Sequence, residues 1–441
     1  MRRTRWLLRR SGDQAGSGRR QLSRDARLIV AGQGVRAAGY GFTAVLLGAL
    51  LAARGFSSIQ AGLTLTALIA GTALASLVVG RYGDRLGRRA SYALLFCGIA
   101  LAGVVVAVGG PWWVLLVVAL TGTLSTDVVD NGPATTLEQA MLAAEDAGTA
   151  AVYGRYNATG SAAGALGSLA VILPGLGPHG PGGVHGGLFL VLVPVGISGM
   201  ILAARLSPAV EASPAVSSPL EPVTRARSQL GPSRAVVRRL AGLFAVDAAG
   251  GGLVTTGFLS YYLTERYHAS VVALGWLFFA VSLVQAVSVA LAPLLARRFG
   301  LITTMVGTHL PSNLLLAAVA FAPAFPAAAA LLLARTTLSQ MDVPTRQALV
   351  MTVVTPPERT AAAAVTNAAR YTVRPAGPLI AGLVQQLALG APLVVAGTVK
   401  AAYDLTLWRW ARDLGLASRP QARPPGAGTG TVPAASSGEP P

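Results

Sequence analysis

Charge is scarce in this sequence. Only 12% of its 441 residues are Asp, Glu, Lys or Arg, about half of the roughly 25% typical of a soluble chain. So little polar surface cannot coat a water-facing fold of this length, which excludes a soluble globular protein. Cysteine occurs once, as Cys97 in "LLFCGIA", so neither an intrachain disulfide nor a cysteine metal site can form. A lone Cys in an apolar run reads as small core filler. Lysine also occurs once, at Lys400, which we read as compositional bias toward arginine. No GxxxxGK[ST] phosphate loop is present, which argues against direct ATP hydrolysis. The four histidines are scattered and no compact Ser/His/Asp set accompanies them, so an enzyme is not expected. His179 and His185 in "GPHGPGGVHGG" have too few companion ligands for a metal. His309 reads as a packed polar residue. No cofactor is implied.

Hydrophobic residues, by contrast, make up 53% of the chain. A bilayer core of about 30 Å takes roughly 20 apolar residues as a helix, and runs of that length recur. The expected spans are 28–53, 57–80, 90–109, 112–141, 149–174 and 186–206, then 236–263, 270–296, 301–322, 326–351, 359–388 and 391–412. The fold class is therefore an all-α integral membrane protein with twelve transmembrane helices. Residues 1–27 form a basic N-terminal tail without the apolar core of a cleaved signal. Residues 207–235 form a Pro/Ser-rich linker between two six-helix bundles (28–206 and 236–412), and 413–441 an unstructured tail.

The arginines orient the spans. Nine lie in the first 27 residues, and the breaks after even-numbered spans hold Arg81 to Arg89, Arg205 to Arg239, and Arg297 with Arg298. Breaks after odd-numbered spans carry only Arg54 and Arg266. The positive-inside rule places both termini and the linker in the cytoplasm of a multi-pass cell-membrane protein. The same topology accounts for the net charge of +18 and excludes a nucleic-acid surface, since no aromatic platform interleaves with the arginines.

The two halves repeat. "VRAAGYGF" from Val35 matches "VDAAGGGL" from Val246, and "PATTLEQAML" from Pro133 matches "PTRQALVMTV" from Pro344, both at an offset of 211. "NATGSAAGALGSL" from Asn157 follows with "NAARYTVRPAGPL" from Asn367, one residue short of that offset. Parallel six-helix repeats are a transporter design.

One stretch is specific. "GRYGDRLGRRASY", residues 80–92, fits GxxxDRxGR[RK] at every position, with Gly80, Asp84, Arg85, Gly87, Arg88 and Arg89 in their places. An ordinary basic inner loop would supply the arginines but not the embedded aspartate and spaced glycines. The stretch resembles the signature between the second and third helices of the major facilitator superfamily, and the twelve-span layout agrees over residues 28–412. The resemblance implies two pseudo-symmetric six-helix bundles and alternating access. It makes this loop a latch, with Asp84 facing arginines or the positive end of the eleventh helix. Gly83 and Gly87 permit the turn and close approach. The second-half counterpart, "PLLARRFGL" from Pro293, keeps Arg298 and Gly300 but lacks the aspartate.

In that family the first, fourth, seventh and tenth helices line the central cavity. The cavity candidates here are Arg36, Asp127, Asp130, Asp247, Arg335 and Asp342. A charge inside a span is costly and by default faces water, substrate or another charge. Arg36 and Asp247 occupy equivalent repeat positions and are expected to meet across the pseudo-twofold axis, as a functional or a purely structural pair. Asp127 and Asp130 are the expected proton carriers, because desolvation raises a carboxyl's pKa toward neutrality. Arg335 either holds an anionic substrate group or neutralises Asp342. Arg155, Arg370 and Arg374 read as snorkelling structural arginines. The partners implied are a small-molecule substrate, protons and the lipid bilayer, for a monomer. Export is preferred over metabolite uptake, although the arginine of the fourth helix and the Gly-Pro of the fifth, usual in the family's drug exporters, are missing. A non-transporting sensor on the same fold is a further alternative.

Overall fold

The computed structural model describes residues 22–126, 132–144, 150–173, 184–211 and 226–413. Among these residues every regular element is helical. The helices are α1 (Arg24–Ala53), α2 (Ser58–Leu86), α3 (Arg88–Val108), α4 (Trp112–Leu120), α5 (Pro133–Ala144), α6 (Ala150–Ala170) and α7 (Leu192–Ala204). The second half holds α8 (Arg234–Gly252), α9 (Thr256–Tyr267), α10 (Val271–Phe299), α11 (Leu301–Val319), α12 (Phe325–Ser339), α13 (Asp342–Val353), α14 (Arg359–Val373), α15 (Gly377–Val384) and α16 (Ala391–Asp413). Seven helical stretches, counting α8 with α9 as one, are long and apolar enough to cross a membrane.

Most predicted spans appear as single helices, but the fourth, seventh, tenth and eleventh are each broken in two. The breaks have local causes. Pro344 would clash with the carbonyl four residues back, and α12 stops at Ser339. Pro375 and Pro378 do the same between α14 and α15, where residues 374–376 tighten into a 3-10 turn. In the seventh span Thr255 accepts from Phe258 N at 3.3 Å and caps α9, just after the poorly helical glycines 250–252. Two boundaries move. The basic tail, expected through residue 27, gives way to helix at Arg24, where the Ser23 hydroxyl caps α1. The linker is docked at both ends, with Val210, Leu230 and Ser233 buried.

The chain forms two compact units. Counting described residues alone, the first holds those between 22 and 211 with 255–279 and 378–383, and the second 226–254, 280–377 and 384–413. Inside the first unit α1 is almost wholly buried and lies against α6 with no side chain between. A methyl on Gly41 would sit 2.0 Å from the Gly164 carbonyl oxygen, so the small-residue run of the fifth span serves close helix approach. The same unit joins pieces of both sequence repeats. Ser260 of α9 donates to the Val45 carbonyl at 2.6 Å, and Leu379 N of α15 donates to Thr66 Oγ1 at 2.9 Å. The second unit has its own core of Phe244, Met305, Leu349, Tyr403, Leu407 and Trp410. Leu74, Val78, Leu101, Val104, Leu283 and Leu294 point outward. Such apolar belts are tolerated by lipid and poorly by water.

Candidate functional site

Among the described residues, a cluster of ionisable side chains is buried in each unit. In the first, Arg36 of α1 and Glu138 of α5 are 1% and 0% exposed, with Nη2 and Oε2 2.8 Å apart. Arg36 also donates to Thr135 Oγ1 at 3.1 Å and to Gln33. Tyr92 of α3 donates to Glu138 Oε1 at 2.6 Å, and Tyr156 of α6 donates to the other carboxylate oxygen. Tyr40 places its ring 5.3 Å from the guanidinium carbon. Four helices thus converge on one carboxylate. In an apolar interior a charge persists only when paired and hydrogen-bonded.

The second cluster is larger. Asp247 of α8 receives Lys400 Nζ from α16 and Arg346 Nη1 from α13 at 3.4 Å. His309 Nε2 from α11 stands 3.8 Å from it. Arg346 also binds Asp342 Oδ2 at 2.7 Å. On its other edge, His309 Nδ1 lies 2.8 Å from Asp404 Oδ1, and Asn313 donates to Asp404 Oδ2 at 2.9 Å. Lys400 and Asp404 sit one turn apart on α16, so both reach the imidazole's neighbourhood. The imidazole lies between two carboxylates. Its Nδ1 is within hydrogen-bond distance of Asp404, whereas its Nε2 faces Asp247 from beyond that distance.

The repeat carries over to these contacts. The offset of 211 maps Arg36 onto Asp247 and Thr135 onto Arg346. The Arg36–Thr135 and Asp247–Arg346 contacts each join residues 99 apart. The charge at this position is inverted, but the counter-charges are not equivalent: Thr135 is uncharged, and Glu138 corresponds to Leu349.

The Gly80–Arg89 segment differs from the loop expected. Helix α2 runs on through Leu86 and α3 starts at Arg88, so Gly87 alone makes the turn, at φ +87°. Gly300 does the same between α10 and α11, at φ +86°. That left-handed region favours glycine. Gly83 is buried, and a methyl there would lie 3.3 Å from Leu137 Cδ2. Arg88 is 1% exposed and binds Asp84 Oδ1 through Nε at 2.8 Å. Glu211 accepts from the amides of Arg88 and Arg89 at 2.6 and 3.0 Å, placing negative charge at the positive end of α3.

Comparison with known proteins decides the family. Residues 29–378 match the Major Facilitator Superfamily. The chain belongs to that superfamily. An uncharacterized membrane protein of Saccharomyces cerevisiae, YJR124C, is 26% identical over 418 residues, covering 87% of this chain and 93% of its own. Among solved structures, a mutant of the nucleoside transporter NupG aligns with a TM-score of 0.68 at 13% identity, over 89% of this chain and 100% of its own. The xylose transporter XylE from E. coli aligns at 0.58 and 15% identity, over 88% and 98%. A bacterial homologue of the human lysosomal transporter Spinster aligns at 0.62 and 16%, over 90% and 96%. At such identities these structures share the fold.

For this superfamily member the sequence-derived candidates sort as follows. Arg36 and Asp247, expected to meet, lie in different units, and each has partners inside its own: Glu138 for Arg36, and Lys400 with Arg346 for Asp247. Asp342 belongs to Arg346, which leaves Arg335 without that partner. Asp127 and Asp130 lie outside the described residues. Arg155 is exposed, as a snorkelling residue should be, but Arg370 keeps its Nε buried. Glu138, His309, Arg346, Lys400 and Asp404 were missed as site residues. Four of them are simply charges within the drawn spans, and His309 and Lys400 were taken as packing and compositional bias.

Proposed function

We propose that this protein is a proton-coupled secondary transporter of a small organic solute. It works by alternating access in the cell membrane, with both termini cytoplasmic. The observation carrying the coupling is the second-unit cluster, in which Asp247 meets Lys400, Arg346 and His309 while His309 also meets Asp404. Histidine is the side chain whose charge changes most readily near physiological pH. A proton added there would put a positive charge between two carboxylates on different helices. Its loss frees α8 and α16 to shift. Gly80, Asp84, Arg85, Gly87, Arg88 and Arg89 act as the latch, supported by the one-residue turn and the anchoring of Arg88.

Liposomes of the reconstituted full chain, loaded with a pH-reporting dye, test this under an imposed pH gradient. Nucleosides and pentoses, the cargo classes of the similar structures, open the solute panel. Solute-dependent proton movement, lost in Asp247→Asn, is expected, and the sign of the gradient dependence reads the direction. Solute flux indifferent to pH in either direction would defeat the coupling. Binding without any flux would turn the reading to a sensor.

A further inference from the structure

We propose that the basic end of the second unit, where α8 begins and α16 ends, binds the headgroup of an anionic phospholipid. The proposal needs the chain to lie in a bilayer and does not need it to transport anything. Five arginines gather there: Arg234, Arg238 and Arg239 at the start of α8, and Arg409 and Arg412 at the end of α16. The core brings the two ends together, since Val237, Leu240 and Ala241 pack in one cluster with Leu407, Trp410 and Ala411. Arg239 reaches across between the helices, its guanidinium carbon 5.4 Å from the centre of the Trp410 ring. Arg412 lies 4.4 Å over the ring of Trp408, one turn back. A guanidinium stacked on an indole keeps its edge N–H donors for a phosphate.

The protein itself does not answer these charges. All five arginines are exposed, and none forms an ion pair or a side-chain hydrogen bond among the described residues. Against them stand Glu358, which already accepts from the amides of Gly231 and Ser233, and Asp413 beside Arg412. The basic turn of the first unit is different. There Arg88 binds Asp84 at 2.8 Å, and Arg89 donates to the Ala204 carbonyl at 3.3 Å. The outer face of α16 also grades from apolar to charged. Leu405, Trp408, Arg409 and Arg412 follow the i, i+3, i+4, i+7 spacing of one helix face, and Leu405 and Trp408 are 45% and 37% exposed. Within about 10 Å of helix, an apolar residue gives way to an indole and then to two cations. That is the order of acyl chain, interface and headgroup across one leaflet. Basic residues gathered between helix ends at that level suit an anionic headgroup. A soluble phosphate would gain nothing from Leu405.

A photo-crosslinking benzophenone residue placed at Leu405 of the full chain reads the neighbouring lipid. The chain is held in nanodiscs of equimolar phosphatidylglycerol and phosphatidylcholine, each with a different acyl isotope label. The phosphatidylglycerol adduct should exceed the phosphatidylcholine adduct by about fivefold or more, the effect of one arginine near an anionic surface. The same residue at exposed Leu101, with no arginine within two turns of α3, should label both lipids equally. Arg409→Gln with Arg412→Gln, and Arg238→Gln with Arg239→Gln, should each bring the Leu405 ratio toward one. Raising salt from about 0.1 to 1 M shortens the screening length from about 10 to 3 Å. It should do the same in the parent, and it keeps the test open if the glutamine variants misfold. Equal labelling at Leu405 in the parent, or an enrichment that survives both glutamine pairs, would overturn the proposal. So would an enrichment that persists in high salt where those variants do not fold. Loss of the enrichment on adding millimolar glycerol 3-phosphate would overturn it too, since the site would then be one for soluble phosphate.

Discussion

Replacing Glu138 tests whether the first-unit cluster holds that unit together. Its carboxylate is fully buried and accepts from Arg36, Tyr92 and Tyr156 on three other helices. A glutamine keeps one acceptor oxygen but turns its amide donors toward groups that are themselves donors. At least one charge-assisted bond goes, about 1.5–3 kcal/mol, and Arg36 stays buried without a counter-charge. Breaking one side of a buried pair costs about 3–5 kcal/mol. At about 1.4 kcal/mol per decade, the folding constant of Glu138→Gln should drop by roughly 10² to 10⁴. Unfolding in mixed micelles titrated with dodecyl sulfate reads this directly. The double variant Arg36→Met with Glu138→Leu removes both charges and should regain most of the loss, because apolar replacement of a whole buried pair is often neutral. A loss below about 1 kcal/mol in Glu138→Gln, or a double variant no more stable than Glu138→Leu alone, would refute the reasoning.

Other variants probe single contacts. A methyl on Gly48 would lie 2.1 Å from the Gly257 carbonyl oxygen, so Gly48→Ala should force α1 and α9 apart. Solvent labelling of a cysteine placed at Val45 should then rise, and unchanged labelling would contradict the close contact. At Gly87 the methyl meets just the Glu211 carboxylate, at 3.5 Å or more, so Gly87→Ala should cost about 1–3 kcal/mol of backbone strain alone. An unchanged thermal midpoint would show that the turn relaxes freely. Glu358 is held below the usual glutamate range, first by the Ser233 hydroxyl and also by the amides of Gly231 and Ser233. A depressed carboxyl stabilises the fold above its unfolded value of about 4.3. That stabilisation is lost as pH falls through the lower native value. Glu358→Gln should therefore be less stable than the parent at neutral pH and equal to it in strong acid; parallel stability curves would exclude the linkage. Finally, His309→Gln should flatten the pH profile of solute flux while leaving binding at fixed pH largely intact, and an unaltered profile would take His309 out of the coupling path.

The fold was legible because hydropathy and arginine placement repeat over hundreds of residues. The interruptions were only partly so. Pro344, Pro375 and Pro378 stand in plain sight, but a span drawn by hydropathy runs through them, since a break inside an apolar run leaves its mean polarity unchanged. The site was legible by position and illegible by pairing. Arg36 and Asp247 were recognised as equivalent, yet equivalence says nothing of which helix supplies the counter-charge. Glu138 and Arg346 sit a few residues from the predicted span ends at 141 and 351, where charges are cheap. Lys400, Asp404 and His309 belong to the ninth and twelfth spans, which the cavity pattern of four helices passes over. An i,i+4 Lys/Asp pair inside an otherwise apolar span, as at Lys400 and Asp404, was the signal present in the sequence.

The sign inversion between the clusters bears on how the labour divides. The repeat preserves a contact from α1 and from α8 to the residue 99 positions on, and a low-dielectric interior demands a nearby counter-charge for each, not a particular sign. Either charge order satisfies packing, so the order is free to follow function. Around Arg36 the partners are Glu138 and two tyrosines, groups whose ordinary titration lies far from neutral pH. Around Asp247 the inverted order puts a carboxylate on the inner helix, in reach of His309, a side-chain type that changes charge near neutrality. The same repeat position thus holds an arginine bound to a carboxylate in one half and, in the other, a carboxylate held by Lys400 and Arg346 with a histidine 3.8 Å away.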